Sequence, residues 1–239
     1  MKKAFTTAIA LCSLALVLMA WSPQGKMAAQ TEERNVGEYE AIAVAGWFDV
    51  VLVDGKEGRI TLEGKANTIK NIHTEVRKGK LIVEWDKDIN LNPFNSLSKV
   101  TITIPVEEIN GVSLAGSGSV VSDTKLKSDD FYATLSGSGT LDLELETASL
   151  SSGISGSGKA ILSGSTDEYE VSISGSGDVK AFDLKAKDVS ASISGSAKIK
   201  VHAANSLTAR VSGSGDVEYS GSATKIDSKV SGSGSVTKA

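Results

Sequence analysis

From residue 131 to 145, apolar or small residues hold every odd position and polar or amphipathic residues every even one. Phe131, Ala133, Leu135, Gly137, Gly139, Leu141, Leu143 and Leu145 alternate with Tyr132, Thr134, Ser136, Ser138, Thr140, Asp142 and Glu144. A period of two is the mark of a half-buried strand. The phase recurs at Val171, Ile173, Gly175, Gly177, Val179 and Ala181, again from Val189 to Val201, and again from Leu207 to Tyr219. Each alternation carries a Gly-Ser-Gly tripeptide, starting at Gly116, Gly137, Gly156, Gly175, Gly213 and Gly232, with Gly195-Ser196-Ala197 as a variant. The starts are almost evenly spaced along the chain. A flexible Gly/Ser linker has no reason to hold that phase.

A near-fixed interval of this size marks a stacked, quasi-one-dimensional architecture. Each turn holds two or three short strands joined by tight bends. The pattern therefore predicts an all-β, right-handed parallel β-helix with about 19–20 residues per turn and rungs about 4.8 Å apart. An antiparallel sandwich would not generate a same-sense repeat. Ala197 replaces the third residue of one tripeptide, so that position needs a small side chain more than positive φ. The expectation is that both glycines mark a narrow interior. The serines Ser117, Ser138, Ser157, Ser176, Ser196, Ser214 and Ser233 then form an outward ladder, a candidate binding feature.

Between Tyr39 and Gly111 the tripeptide is missing but alternation persists. Residues 49–53, 59–63, 80–85 and 100–104 read as short strands rich in β-branched residues, with turns at Asp54-Gly55 and Lys78-Gly79. Leu62, Val83 and Ile104 are evenly spaced, at an interval close to that of the later repeat. This predicts that residues 36–111 form the first, less regular turns and cap a solenoid built by residues 112–239. Asp86–Ser98, with Pro93, reads as a surface loop, and no proline follows Pro105, in keeping with inner strands that donate to both sides.

Residues 1–29 have two lysines followed by an apolar run from Ala8 to Trp21, the layout of a signal peptide cleaved after Ala28 or Ala29. Cys12, the only cysteine, stands inside that run after Leu11, a poor context for lipidation. Its loss leaves a chain without disulfides. Cleavage also removes Lys2, Lys3 and Lys26, so 22 cationic face 29 acidic side chains and the net charge moves from −4 to −7. An acidic, exported chain argues against nucleic acid and against stable membrane insertion. The expected location is the periplasm or the cell surface.

The segment Ile42-Ala-Val-Ala-Gly46-Trp-Phe-Asp-Val50 and the later Val112-Ser-Leu-Ala-Gly116-Ser-Gly118 with its repeats resemble the head GIN domain family across nearly all of the exported chain. The resemblance implies a right-handed β-helix and the role of an exported bacterial adhesin.

No constellation of residues argues for catalysis. Residues 153–159 imitate a phosphate-binding loop, but Ala160 stands where a hydroxyl should follow, and no helix is predicted there. His73 and His202 are isolated. Asp178 and Asp216 follow their tripeptides, whereas Ser119, Thr140, Lys159, Lys198 and Ser235 hold the matching positions, so no calcium ladder forms. Asp142 and Glu144 read as a solvated face, and Tyr132 and Tyr169 as the aromatics open to solvent. The expectation is a non-catalytic binding or adhesion protein with no metal or cofactor, whose ligand is a glycan or a surface protein. A structural scaffold and a polysaccharide-cleaving β-helix are the alternatives. Lys225, Asp227, Lys229 and Lys238 surround the last repeat and should guard it, giving mainly monomer with weak end-to-end association.

Overall fold

The computed structural model describes residues 30–86 and 98–239. The expected signal peptide and most of the loop around Pro93 lie outside the described residues. Strands follow in the order β1 (Gln30–Asn35), β2 (Ala41–Gly46), β3 (Asp49–Asp54) and β4 (Arg59–Gly64). A one-turn helix α1 (Ala66–Ile69) precedes β5 (Ile72–Arg77), β6 (Lys80–Trp85), β7 (Thr101–Val106) and β8 (Gly111–Gly116). Long winding strands come next: β9 (Ser119–Gly137), β10 (Thr140–Gly156), β11 (Lys159–Gly175), β12 (Asp178–Gly195) and β13 (Lys198–Gly213). The last turn holds β14 (Asp216–Ser220), β15 (Lys225–Gly232) and β16 (Ser235–Lys238).

From β8 onward, every pairing is parallel and joins one repeat to the next, so the chain is a parallel β-helix. Between β10 and β11 the register never shifts: Leu141 faces Ala160 and Ile154 faces Ile173. The apolar phase of each coil points inward and stacks in columns. One column runs Leu135, Ile154, Ile173, Ile193 and Val211, each at most 4% exposed. Burying such a side chain stabilises by about 1.5–3 kcal/mol, and the parallel ladder satisfies the backbone between columns.

Polar groups that enter this interior are paired. Ser152 occupies an inward position and meets the Tyr169 hydroxyl at 2.9 Å. Tyr169 is 2% exposed, which corrects its assignment to the solvent side. It shares the odd phase of Val171 and Ile173 and stacks on Leu150. Burial raises its hydroxyl pKa well above the usual tyrosine range. Tyr132, in the outward phase, lies half-buried over Gly111 with the Lys80 ammonium 5.2 Å from its ring centre.

The N-terminal turns do not stack in chain order. β2 pairs with both β6 and β8, and β3 with both β7 and β9. The β2–β3 turn therefore lies between a later turn, β6–β7, and the first glycine-cornered turn. Leu62 faces Ile102 in an antiparallel pair, so the even spacing of Leu62, Val83 and Ile104 does not mark successive turns. Antiparallel strands finish this end: β4 on β7, β1 on β4, and β5 on β6. Arg34 on β1 clasps them together. Its guanidinium donates to the carbonyls of Ile72 at 2.5 Å and Ile69 at 2.9 Å, bonds worth more than neutral ones because the donor is charged.

Candidate binding face

The tripeptide builds a corner, and its two glycines have different reasons to be glycine. The first has φ between +115° and +132° in all seven copies. A Cβ on Gly156 would come within 2.5 Å of the Gly137 carbonyl oxygen. That oxygen also accepts the Ser157 N–H at 2.9 Å. Left-handed backbone and close approach between rungs thus exclude any side chain there. This corrects the expectation that both glycines mark a narrow interior. Only the third position does so: Gly139, Gly158, Gly177 and Gly215 are buried with ordinary φ, and Ala197 fits at 2% exposure.

The middle serines Ser117, Ser138, Ser157, Ser176, Ser196, Ser214 and Ser233 are all exposed. Because Gly137, Gly156, Gly175, Gly195 and Gly213 pair in register, the serines between them stack one rung apart. They form the edge of a wider surface that sequence reasoning missed. On the sheet beside the corner, Ser136, Ser155, Ser174, Ser194, Ser212 and Ser231 share one outward column. A second column runs Ser113, Thr134, Gly153, Ser172 and Ser192 before reaching Arg210. Toward the N-terminal end the columns become apolar at Ala115, Ala45, Ala43 and Ile82. As far as Ser194 in the first column and Ser192 in the second, with this apolar end, they line a shallow trough of about 720 Å³. Alternation alone already marked these serines as outward; what it lacked was the register that lines them up.

At its N-terminal end the corner changes character. Gly46-Trp47-Phe48 takes the place of the tripeptide, since Ser117 N–H donates to Gly46 O at 3.1 Å and Ser119 N–H to Phe48 O at 3.0 Å. Trp47 stands where the other rungs have serine. Its ring centre lies 5.1 Å from that of Trp85 and 5.2 Å from that of Phe48. The serine edge thus ends on an aromatic pair.

The remaining candidates stay apart. Lys125 bridges Glu144 at 3.5 Å and Glu146 at 3.8 Å, a solvated ion-pair network. Asp178 stands between Lys159 and Lys198, and Lys198 faces Asp216. His73 lies on β5 at the capped end. His202, on β13, faces Ser220 at 3.2 Å, and partial burial lowers its pKa, helped by Lys185. Among the described residues, no three acidic, histidine or cysteine side chains are grouped to hold a metal. Residues 153–159 run from strand through corner into strand, with no helix.

Residues 38–223 match the family described as putative auto-transporter adhesin, head GIN domain. A putative adhesin from Bacteroides fragilis NCTC 9343 has 26% identity and a TM-score of 0.80, covering 88% of this chain and 97% of its own. A putative lipid binding protein from Parabacteroides distasonis ATCC 8503 has 25% identity and a TM-score of 0.72, covering 90% and 98%. A putative adhesin from Parabacteroides merdae ATCC 43184, at 22% identity and a TM-score of 0.69, shares the fold over 90% and 98%. No curated protein matches the chain.

Proposed function

Since the chain belongs to the family of putative auto-transporter adhesins with a head GIN domain, we propose that it is an exported, non-catalytic binding and adhesion protein whose contact surface is the serine-lined trough. The observation that carries this reading is the trough's composition. Serine, alanine and glycine hold most of its outward positions over successive rungs. Such side chains lose little rotamer freedom on contact, so a flat partner meets a surface that is already ordered. Hydroxyls repeating about every 4.8 Å donate and accept along one direction. An extended polymer, a glycan above all, suits that geometry, with Trp47 and Trp85 beside its end.

Hydrolysis of a glycosidic bond canonically uses a proton donor and a second carboxylate flanking that bond. Glu84 is the trough's one carboxylate among the described residues lining it, which favours retention over turnover. A second reading, capture of an acyl chain, draws on the apolar end at Ala43, Ala45, Ala115 and Ile82, and on the similarity to a putative lipid binding protein. No helix among the described residues is long and apolar enough to cross a membrane. The signal peptide expected in residues 1–29 supports export, and an adhesive role favours the cell surface over the periplasm.

A direct test uses the labelled full chain on a polysaccharide array and on phosphatidylcholine vesicles. Ser155→Arg with Ser174→Arg should cut glycan retention at least tenfold, while Ser165→Arg, exposed outside the trough, should not. Retention of vesicles alone, blocked by Ala45→Arg, would favour the acyl-chain reading. Loss of polysaccharide chain length on incubation would overturn both.

A further inference from the structure

The two ends of the stack are finished differently. Antiparallel strands and the Arg34 clasp cover one. At the other, β15 pairs with β13 and β16 with β14, and β15 is exposed along its length. Ile226 and Val230 are 45% and 39% exposed; only Val121 joins them as an exposed large hydrophobic residue among those described. Both continue inward columns, Ile226 below Leu207 and Val230 below Val211, while Asp227 and Lys229 continue outward columns below Thr208 and Arg210.

Read in both directions from Ser228, this edge is chemically self-complementary. Asp227 and Lys229 flank the centre, and Ile226 and Val230 flank them in turn. An antiparallel pair centred on Ser228 sets Asp227 opposite Lys229 of a second copy, and Ile226 opposite its Val230. Two-fold symmetry repeats both contacts.

We propose that the β15 edge pairs with the same edge of a second copy of this chain, antiparallel and tail to tail, with Ser228 on the two-fold axis. Opposite charges directly across an antiparallel pair are favourable, and like charges there are not. The Asp227 carboxylate is held by the Arg210 guanidinium at 2.5 Å, which also keeps its pKa below the ordinary range. On the neighbouring strand, Lys238 takes the inward position that Tyr219 holds one rung earlier. A charge placed there discourages stacking on β16 and confines pairing to β15. These charges therefore do more than guard the end, because they select one register. With the opposite end covered, pairing closes at a dimer and does not grow into a filament.

The test is sedimentation of the exported full chain over a concentration series, with two charge reversals. Wild type should show a reversible monomer–dimer equilibrium. Asp227→Lys alone sets cation against cation, and Lys229→Asp alone sets anion against anion; each should weaken association at least tenfold. An equimolar mixture of the two variants should recover a dimer containing one of each. Melting curves close to wild type for both variants confirm that they are folded. A wild type that stays monomeric at millimolar concentration, variants that dimerise as wild type does, or a mixture that fails to recover association would each overturn the proposal.

Discussion

In the coils from β10 to β13 the third corner position holds glycine or alanine, and the chain climbs one rung per repeat. In the N-terminal turn the same position holds Phe48, 0% exposed, and a later segment, β6–β7, lies on the outer side of β2–β3. The ladder continues across the junction: Ser119 N–H reaches Phe48 O as Thr140 N–H reaches Gly118 O, both at 3.0 Å. A β-helix thus needs a constant backbone path at its corner and not a constant volume. Where the coil is narrow, small residues let successive rungs touch. Near the cap, the one large Phe48 ring is buried against Gly46. The regular coils supply repeating outer columns, while the irregular turns close the core.

Removing the large ring should separate the two regions most strongly. Phe48→Ala leaves a cavity in the N-terminal core and should cost about 3–5 kcal/mol. Urea denaturation measures it, and hydrogen exchange should show protection lost first in β2, β3 and β8. In the regular coils, Gly156→Val combines a left-handed backbone with a collision at the Gly137 carbonyl. Its expected cost is about 2–5 kcal/mol, against a change within about 0.5 kcal/mol for the exposed Ser157→Val. Equal losses from these two would remove the distinction between corner glycine and corner serine.

Alkaline pH offers a milder contrast. The pKa values of Tyr39 and Tyr169 are both raised above the ordinary tyrosine value of 10.0, chiefly by burial. A raised folded-state pKa means that the fold favours the neutral hydroxyl. That stability is whole below the unfolded value near pH 10 and declines as pH rises toward the folded value. Tyr169→Phe should lessen the alkaline loss in the regular coils and leave the share due to Tyr39 at the cap. Denaturant midpoints at pH 8 and pH 11 would measure this. The smallest expected effect is that of a chelator. Lysines alternate with Asp178 and Asp216, so the melting temperature should not move; a clear drop would reveal a structural cation.

The regular coils were legible because period and phase agree from copy to copy, and each strand meets its own repeat. The N-terminal turns were not, because alternation reveals which side faces inward but not strand direction or rung order. Leu62 and Val83 keep the interval of the repeat, yet one stands on an antiparallel strand. The site was legible in part. The corner serines were placed outward by phase alone, whereas the columns from Ser136 to Ser231 need the register between rungs. Trp47 went unrecognised as a corner residue because Gly46 lies several strands earlier in the chain than its in-register partner Gly116. Tyr169 shows the opposite error, since its phase already pointed inward while its hydroxyl suggested solvent.

One corner, replaced residue by residue, tests the account most directly. Thermal and urea unfolding of Gly175→Ala, Ser176→Ala and Gly177→Ala probe three adjacent places with the same small side chain. Gly175 has φ +126°, so alanine there should cost about 1–2 kcal/mol from backbone conformation alone, with the collision against the Gly156 carbonyl added to it. Ser176→Ala should change almost nothing. Gly177→Ala should cost less than Gly175→Ala, because Ala197 already occupies the equivalent place one rung later. Equal losses at Gly175 and Gly177, or a larger loss at Gly177, would contradict the assignment of left-handed backbone to the first glycine and small volume to the third.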